Sequence, residues 1–545
     1  MVLGVALFEV TILSCYPGNS HVNRWFTLIF LVTVNHVVTS TLRSKEKNNM
    51  TLFMKKSVMM TVMLLFFTFT PGFGHAASND TISKIDQFIK EQQTISKIPG
   101  ISVIIVDKGK TVYQRGFGFA DTKTKTPVTS DTLFELGSTS KAFTGLAILQ
   151  LEKQGLLKRS DDVRKYIPWL TLSYNGEDQA VTIQQLLSHT SGIPSNSITR
   201  IPESTADNAL ELTVKTLLDQ SLNRQPGSSF EYATINYDVL GLVIEQVAKQ
   251  PFDQYIQQKI LQPVGMHQSF VGIHQVHSTH MASGYKIGLM REQRYIPPIY
   301  RGNIPAGYII SNANDIARWL KLQVGNSDIY SISNNLIQES HTPDLTVEPF
   351  DTNTYYANGW AVVKKDTKSY IYHAGENPTF SSYFILQPDE QIGVAILANM
   401  NTSSTTAIGQ GVMDLWEGKT IDMQHISSYQ KLDKIVTIIC AIIIAISIIF
   451  CYLFVQNIRN LYKKQRSMAN LNYKRILLLS AHTILVATML TALFITPNIV
   501  LGGLNWTFIK VWAPTSITFL LYSSISASLL YLLIGFLMIG TKRNN

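Results

Sequence analysis

Hydrophobic and polar positions follow three different patterns along this chain of 545 residues. Toward the C-terminus, Ile435 to Val455, Ile476 to Thr496 and Ala513 to Ile539 are apolar runs without a charged side chain. Each is long enough for a helix to cross a bilayer's hydrocarbon core, which takes about 20 residues. In the middle, Ile82 to Gln93 has helical spacing, and Ile101 to Val106 with Thr111 to Gly118 flanks Asp107-Lys108-Gly109 as a hairpin would. From Ser138 to about Val324 the pattern predicts mostly helices and polar loops. Strand-like runs return at Trp360 to Val363, Tyr370 to Tyr372, Phe380 to Leu386 and Gly393 to Leu397, and Ser403 to Trp416 closes as a helix. No internal repeat and no low-complexity linker is visible.

The N-terminal pattern is of a third kind. Met54-Lys55-Lys56, the apolar run Val58 to Phe69 and the small residues at Ala76 and Ala77 read as a signal peptide, cleaved after Ala76 or Ala77. Residues 1–53 are expected to lie upstream of the true start at Met54, as a start codon chosen in error. The competing reading is an extra membrane helix at Trp25 to Val38, a run that is short for a span and interrupted by Asn35 and His36.

The net charge of +9 changes meaning once it is located. Residues 435–545 hold nine Lys or Arg and no Asp or Glu, and residues 1–76 hold six basic and two acidic side chains, so 77–434 is mildly acidic. The excess charge flanks membrane segments, and no nucleic-acid partner is expected. Between the first two apolar runs lie Arg459, Lys463, Lys464, Arg466, Lys474 and Arg475, and Lys542 and Arg543 follow the third, whereas only Lys510 separates the second and third. The positive-inside rule therefore predicts a cytoplasmic loop at 456–475, a cytoplasmic C-terminus and an exported domain at 77–425. Of the three cysteines, Cys440 and Cys451 fall in an apolar run and Cys15 precedes the exported domain, which leaves that domain without a disulfide or a thiolate ligand. His267, His274, His277 and His280 lack accompanying ligands at metal spacing and read as loop residues; no metal or cofactor is expected.

Candidate chemistry begins at Glu135-Leu136-Gly137-Ser138-Thr139-Ser140-Lys141. A serine three residues before a lysine, at the start of a helical pattern, puts a hydroxyl and an amine on one face of the first turn. A desolvated amine can take the hydroxyl's proton, and a helix N-terminus can receive an oxyanion on its N–H groups. Pro226-Gly227 then leads to Tyr232 on a loop ahead of a helix beginning near Asp238, where a phenol can project into a cleft. His373-Ala374-Gly375-Glu376 follows the strand-like run Ser369 to Tyr372, and Gly375 would let an edge strand approach a substrate backbone. The N–H of Glu376 is a second oxyanion candidate beside that of Ser138.

These segments, with Leu186-Leu187-Ser188-His189-Thr190-Ser191-Gly192-Ile193-Pro194 and Pro305-Ala306-Gly307-Tyr308 in order between them, resemble the class C-like branch of the serine β-lactamase and penicillin-recognising superfamily. The resemblance spans about Asp80 to Lys419. It implies an α/β, β-lactamase-like fold, with an antiparallel sheet built from both chain ends around a helical domain, followed here by three transmembrane helices. It implies catalysis by Ser138, Lys141 and Tyr232, and a structural role for His189. Two departures bear on substrate: Thr234 stands where the branch usually has asparagine, and His373 where β-lactamases have the lysine of their K-T-G motif. A histidine is largely neutral at pH 7, so carboxylate binding is weakened and a peptidase or esterase is expected rather than a β-lactamase.

An exported domain of this kind followed by three spans resembles the membrane-anchored prodrug-activating peptidases of nonribosomal peptide pathways (colibactin, zwittermicin, xenocoumacin and amicoumacin type). That resemblance implies removal of an N-acyl-D-asparagine cap, with Thr234, His373, Gly375 and Asn377 contacting the substrate. The implied partners are an acylated peptide prodrug or other D-amino-acid peptide, the lipid bilayer and an exporter. A D,D-carboxypeptidase or cell-wall esterase uses the same trio and is the competing enzyme. A membrane sensor is the non-enzymatic alternative, disfavoured because a binding module need not keep a general base.

Overall fold

The computed structural model describes residues 79–325, 332–365, 368–421 and 425–544. The expected signal peptide at 54–76, its cleavage site and the upstream segment 1–53 with Trp25 to Val38 lie outside the described residues.

Helix α1 (Asn79–Ser96) leads into strands β1 (Gly100–Asp107), β2 (Lys110–Asp121) and β3 (Thr126–Pro127). Helices α2 (Lys141–Lys153) and α3 (Ile235–Ala248) belong to the middle of the chain. Strands β4 (Thr354–Tyr356), β5 (Ala361–Lys365), β6 (Lys368–Glu376), β7 (Ser381–Gln387) and β8 (Ile392–Ala398) follow, and helix α4 (Ser404–Trp416) ends the domain. Together the strands make one eight-stranded sheet in the order β4-β5-β6-β7-β8-β1-β2-β3, with every neighbouring pair antiparallel. The seam between β8 and β1, with Ile104 opposite Ala395, joins the two ends of the domain.

Both faces of this sheet are covered, which is why β1 and β8 are mostly apolar and almost wholly buried instead of alternating. Ile101, Val103, Ile105, Val394 and Ile396 pack under α1 and α4 with Ile85, Phe88, Ile408 and Val412. Ile104, Val106, Ala395 and Leu397 face the helical layer with Phe143, Leu146 and Trp319. Phe143 and Trp319 stack with ring centroids 3.8 Å apart, beneath the turn that carries Ser138.

Three local expectations change. Strand β6 is interior to the sheet, not at its edge. Its pairing with β5 stops at Ala361 opposite Tyr372, so His373 to Glu376 overhang β5 and only that end is open. The middle segment contains, besides helices, an unforeseen hairpin of Tyr285–Gly288 and Arg291–Arg294. Its pattern was masked because Leu289 and Met290 form the turn at positive φ (52° and 62°), where turn sequences ordinarily supply Asn or Gly. His274, read as a loop residue, lies in a 3-10 turn, Ile273–Gln275, with its Nε2 3.1 Å from Asp253 Oδ2.

Beyond α4, three helices are long and apolar enough to cross a membrane: α5 (Ser428–Tyr462), α6 (Tyr473–Val500) and α8 (Thr515–Gly540). Each contains or nearly matches the expected apolar run. The expected loop between α6 and α8 instead carries a short helix, α7 (Trp506–Trp512), capped by the Asn505 side chain. A two-stranded ribbon of Arg466–Met468 and Thr541–Arg543 ties the other end of the helices.

Helix α2 seats against residues 357–360 so closely that a Cβ added at Gly145 would fall 2.2 Å from the carbonyl oxygen of Asn358. Backbone cannot swing aside as a side-chain tip can. Gly145→Ala is therefore expected to cost about 1–3 kcal/mol, and thermal denaturation of the full chain in detergent would register the fall.

Candidate active site

Ser138 sits in a single 3-10 turn, Gly137–Ser140, and the α-helix proper begins at Lys141. Gly137 is at φ 57°, and a Cβ there would lie 2.6 Å from the main-chain nitrogen of Glu376. A Cβ on Gly375 would lie 2.1 Å from Leu136 O and 3.1 Å from the nitrogen of Ser138. Gly375 thus allows a close approach to the chain's own backbone. The result is that the N–H groups of Ser138 and Glu376 lie side by side at the overhanging end of β6. Thr139 Oγ1 donates to Leu136 O (2.8 Å), and Ser382 Oγ on β7 donates to the same carbonyl (2.5 Å), which staples the serine turn to the sheet.

Lys141 has no solvent-exposed surface. Its Nζ donates to Ser138 Oγ (3.0 Å), Thr234 Oγ1 (3.0 Å) and the carbonyl of Ala306 (2.8 Å). Burial brings the amine down to about 7, against the opposing field of Asp238. Near neutral pH it is therefore a free base in a substantial fraction of molecules, and then accepts from Ser138 while still donating to the other two oxygens. Asp238 is fully buried, accepts from Asn303 Nδ2 (2.7 Å), and has its carboxyl pushed well above the usual range by burial.

Tyr232 hydrogen-bonds the Ser138 side chain, and its ring lies 5.1 Å from Lys141 Nζ. Burial raises the phenol far above its ordinary value, so it keeps its proton at pH 7. Helix α3 begins at Ile235, three residues earlier than its periodicity indicated, which puts Thr234 at its N-terminus. The ring of His189 packs 4.3 Å from that of Tyr232. His189 Nδ1 faces two donors, Asn236 Nδ2 (2.9 Å) and the Ala233 N–H (3.3 Å), which makes it an acceptor and the imidazole neutral. Burial is the main reason its pKa is depressed.

His373 is sealed in the same way. Its Nδ1 lies 2.7 Å from the Ala374 carbonyl, so that nitrogen carries hydrogen, and Nε2 accepts from Tyr356 Oη (2.9 Å). Burial brings its pKa down to about 3. With both nitrogens engaged inside the protein, His373 props the aromatic wall and offers no charge to a substrate carboxylate.

Asn377 lies beyond the end of β6, and both of its amide hydrogens are used internally, on Glu135 Oε2 (2.7 Å) and the Gly307 carbonyl (2.9 Å). Only Oδ1 remains for a ligand. A Cβ on Gly307 would lie 3.3 Å from that oxygen and 3.9 Å from Asn303 Oδ1. The glycine thus lets two amide oxygens approach its backbone, with the buried Glu135 carboxyl, raised to about 7 by desolvation, behind Asn377. The sequence reading passed over Glu135 and Asn303. Glu135 stands three residues before Ser138, a spacing that could have drawn attention; Asn303 has no such signal.

A family model described as Beta-lactamase matches residues 85–410. Protein flp of Staphylococcus aureus strain N315 is 31% identical over 474 residues, covering 85% of this chain and 92% of its own length. That coverage cannot be reached without including part of the C-terminal helices. The putative penicillin-binding protein PbpX of Bacillus subtilis strain 168 is 36% identical over 229 residues, 41% of this chain and 54% of PbpX. Among solved structures, the octameric penicillin-binding protein homologue from Pyrococcus abyssi superposes with a TM-score of 0.56 at 28% identity, covering 65% of this chain and 81% of that one.

The free-base fraction of Lys141 rises as pH climbs through about 7. Labelling of the protein by a serine-directed fluorophosphonate should accelerate over that window and then level off. Lys141→Ala should slow labelling by about 100-fold or more and flatten the profile, and Ser138→Ala should abolish labelling. A labelled Ser138→Ala protein would exclude this nucleophile.

Proposed function

This chain belongs to the beta-lactamase family, and from that premise we propose that it is a membrane-anchored serine peptidase, with an outward-facing site, that removes an N-acyl-D-asparagine cap from a peptide. The observation that carries the reading is the pair of amide oxygens beside Gly307, Asn377 Oδ1 and Asn303 Oδ1. Both are acceptors, as the NH2 of a substrate carboxamide requires. The hydroxyl of Thr234 accepts from Lys141 and keeps its own hydrogen for the carboxamide's oxygen. The D configuration and the acyl cap come from the resemblance to the prodrug-activating peptidases.

Ser138 Oγ attacks the scissile carbonyl as its proton passes to neutral Lys141. The oxyanion is received by the Ser138 and Glu376 N–H groups, which are fixed beforehand by sheet and turn. As the C–N bond breaks, Tyr232 relays the proton to the leaving amine. Water then attacks the acyl-serine by the same route in reverse, regenerating Ser138. The competing D,D-carboxypeptidase must hold a terminal carboxylate, and a sealed, neutral His373 is poorly suited to that.

The topology is supported by two features that arise separately. The hydrolase core touches one end of the helices, where Asn196 Nδ2 donates to Gly502 O (3.0 Å) and Lys286 reaches the carbonyls of Lys510 and Val511. The basic ribbon of Arg466–Met468 and Thr541–Arg543 lies at the other end, with Arg459, Lys463 and Lys464 nearby in the chain. A fatty-acylated substrate would concentrate in the bilayer beside such an enzyme.

Two outcomes are expected. N-acyl-D-asparaginyl amides should be cleaved well, and L-asparaginyl, D-leucyl and acyl-D-alanyl-D-alanine substrates poorly. Asn377→Ala should cost about 10- to 100-fold on the D-asparaginyl substrate and much less on a simple ester. Preference for acyl-D-alanyl-D-alanine would reject the cap-removal reading. In cells stripped of their outer wall, added protease should digest the hydrolase core and spare the loop from Arg459 to Arg475; a protected core would reverse the topology.

A further inference from the structure

The C-terminal helices touch the wall of the active site at two places. Tyr429, in the first turn of α5, donates its hydroxyl to Glu376 Oε2 (3.3 Å), on the residue whose N–H stands beside that of Ser138. The neighbouring Gln430 side chain donates to Ile95 O (2.7 Å), and Ser427 Oγ accepts the Gln430 N–H (3.2 Å). This turn is therefore attached to the hydrolase core.

The second contact runs through the hairpin Tyr285–Gly288 and Arg291–Arg294. Its turn residues Leu289 and Met290 both have positive φ, a conformation that residues with side chains keep only when something holds it. Asp433 of α5, almost completely buried, does so: its Oδ1 accepts from the Leu289 N–H (3.0 Å) and its Oδ2 from the Met290 N–H (2.7 Å). Bonds from N–H to a carboxylate are the stronger kind. The Lys97 amine takes the Met290 carbonyl. Along the first strand, buried Lys286 donates to the carbonyls of Lys510 and Val511 (2.9 Å each), the C-terminal turn of α7, with its amine 4.4 Å from the Tyr295 ring centre. Burial brings the Lys286 amine down to about 7, and charged or neutral it keeps hydrogens to donate to both carbonyls.

The base of the hairpin bears on the end of the sheet where β6 turns into β7. The Tyr285 N–H points to Asn399 O (3.0 Å) and Thr379 O (3.4 Å), and a Cβ on Gly284 would fall 2.4 Å from Thr379 Oγ1. Thr379 lies in the turn Asn377 to Phe380, closed by the Asn377 N–H on Phe380 O (2.9 Å). The turn that begins at Asn377 and the Glu376 side chain are thus each backed by a contact that leads to the helices.

We propose that α5, α7 and this hairpin form a clamp that sets the position of the segment Glu376 to Phe380, with Asp433, Lys286 and Tyr429 as positioning residues for acyl transfer at Ser138. The proposal rests on the acyl-enzyme reading of Ser138 and not on asparaginyl selectivity. It makes the membrane helices a component of the site as well as a tether.

Fluorophosphonate labelling of the full chain in phospholipid vesicles separates geometry from folding, because the labelled fraction reports intact protein and the rate constant reports the site. Asp433→Ala should lower the rate constant about ten-fold, as small displacements of reacting groups do. Asp433→Asn, which keeps one acceptor, should recover part of it. The pH midpoint set by Lys141 should not move, since nothing in the clamp touches that amine. Tyr429→Phe removes a single hydroxyl, and should slow labelling about two- to three-fold even if Asp433→Ala does not fold. Wild-type rate constants in Tyr429→Phe and in folded Asp433→Ala, whatever the labelled fraction, would overturn the clamp. A wild-type protein that fails to label would instead remove the acyl-enzyme reading, and the proposal with it.

Discussion

Burying the amine of Lys141 constrains much of the hydrolase core, because an amine withdrawn from water must be given acceptors by the protein itself. Three parts of the chain supply them: the serine turn through Ser138, the start of α3 through Thr234, and the segment around Pro305 through the carbonyl of Ala306. Each must arrive within about 3 Å of one nitrogen. The packing of α2 on α3, the short spacing at Gly145 and the Phe143–Trp319 stack below the turn all serve that convergence. The same desolvation that makes the arrangement demanding also makes it useful, since it lowers the proton affinity of the amine until it can act as a base near neutral pH.

The proposed oxyanion site has a different origin. It depends on two backbones touching, the serine turn and the overhanging end of β6, with Gly137 and Gly375 removing the side chains that would separate them. The sheet makes this contact rigid. Because β1 and β8 pair through a seven-residue register, the two halves of the domain act as one layer, and Ser382 on β7 fastens the turn to it. Donors held in this way need no reorganisation when charge develops on a substrate oxygen.

Polar groups around the site are mostly committed to one another. His373 spends both nitrogens on Ala374 and Tyr356, His189 accepts from Ala233 and Asn236, and Asn377 donates twice within the protein. What Asn377 can offer is therefore chemically narrow, its amide oxygen alone. The helices beyond α4 add to this economy, since Asp433 and Lys286 place a carboxylate and an amine on main-chain atoms at the junction of the two parts.

The amino-acid sequence by itself determined the order of elements, the catalytic serine–lysine–tyrosine candidates and the three apolar helices, because each is written in local spacing: strand runs, a serine three residues from a lysine, and uncharged stretches longer than a bilayer is thick. The family resemblance also indicated that a neutral histidine would replace a cation at 373. Tertiary structure alone decided what the side chains have left to offer. Whether Asn377 presents an amide hydrogen or an oxygen depends on Glu135, 242 residues away in the chain, and on the Gly307 carbonyl. Asn303 gains its place only through the fold, and the hairpin turn at Leu289 and Met290 is held by Asp433, 144 and 143 residues further on. Periodicity reports which face of an element is buried. It carries no information about which partner a buried hydrogen-bonding group will meet, and in this site that partner fixes the chemistry.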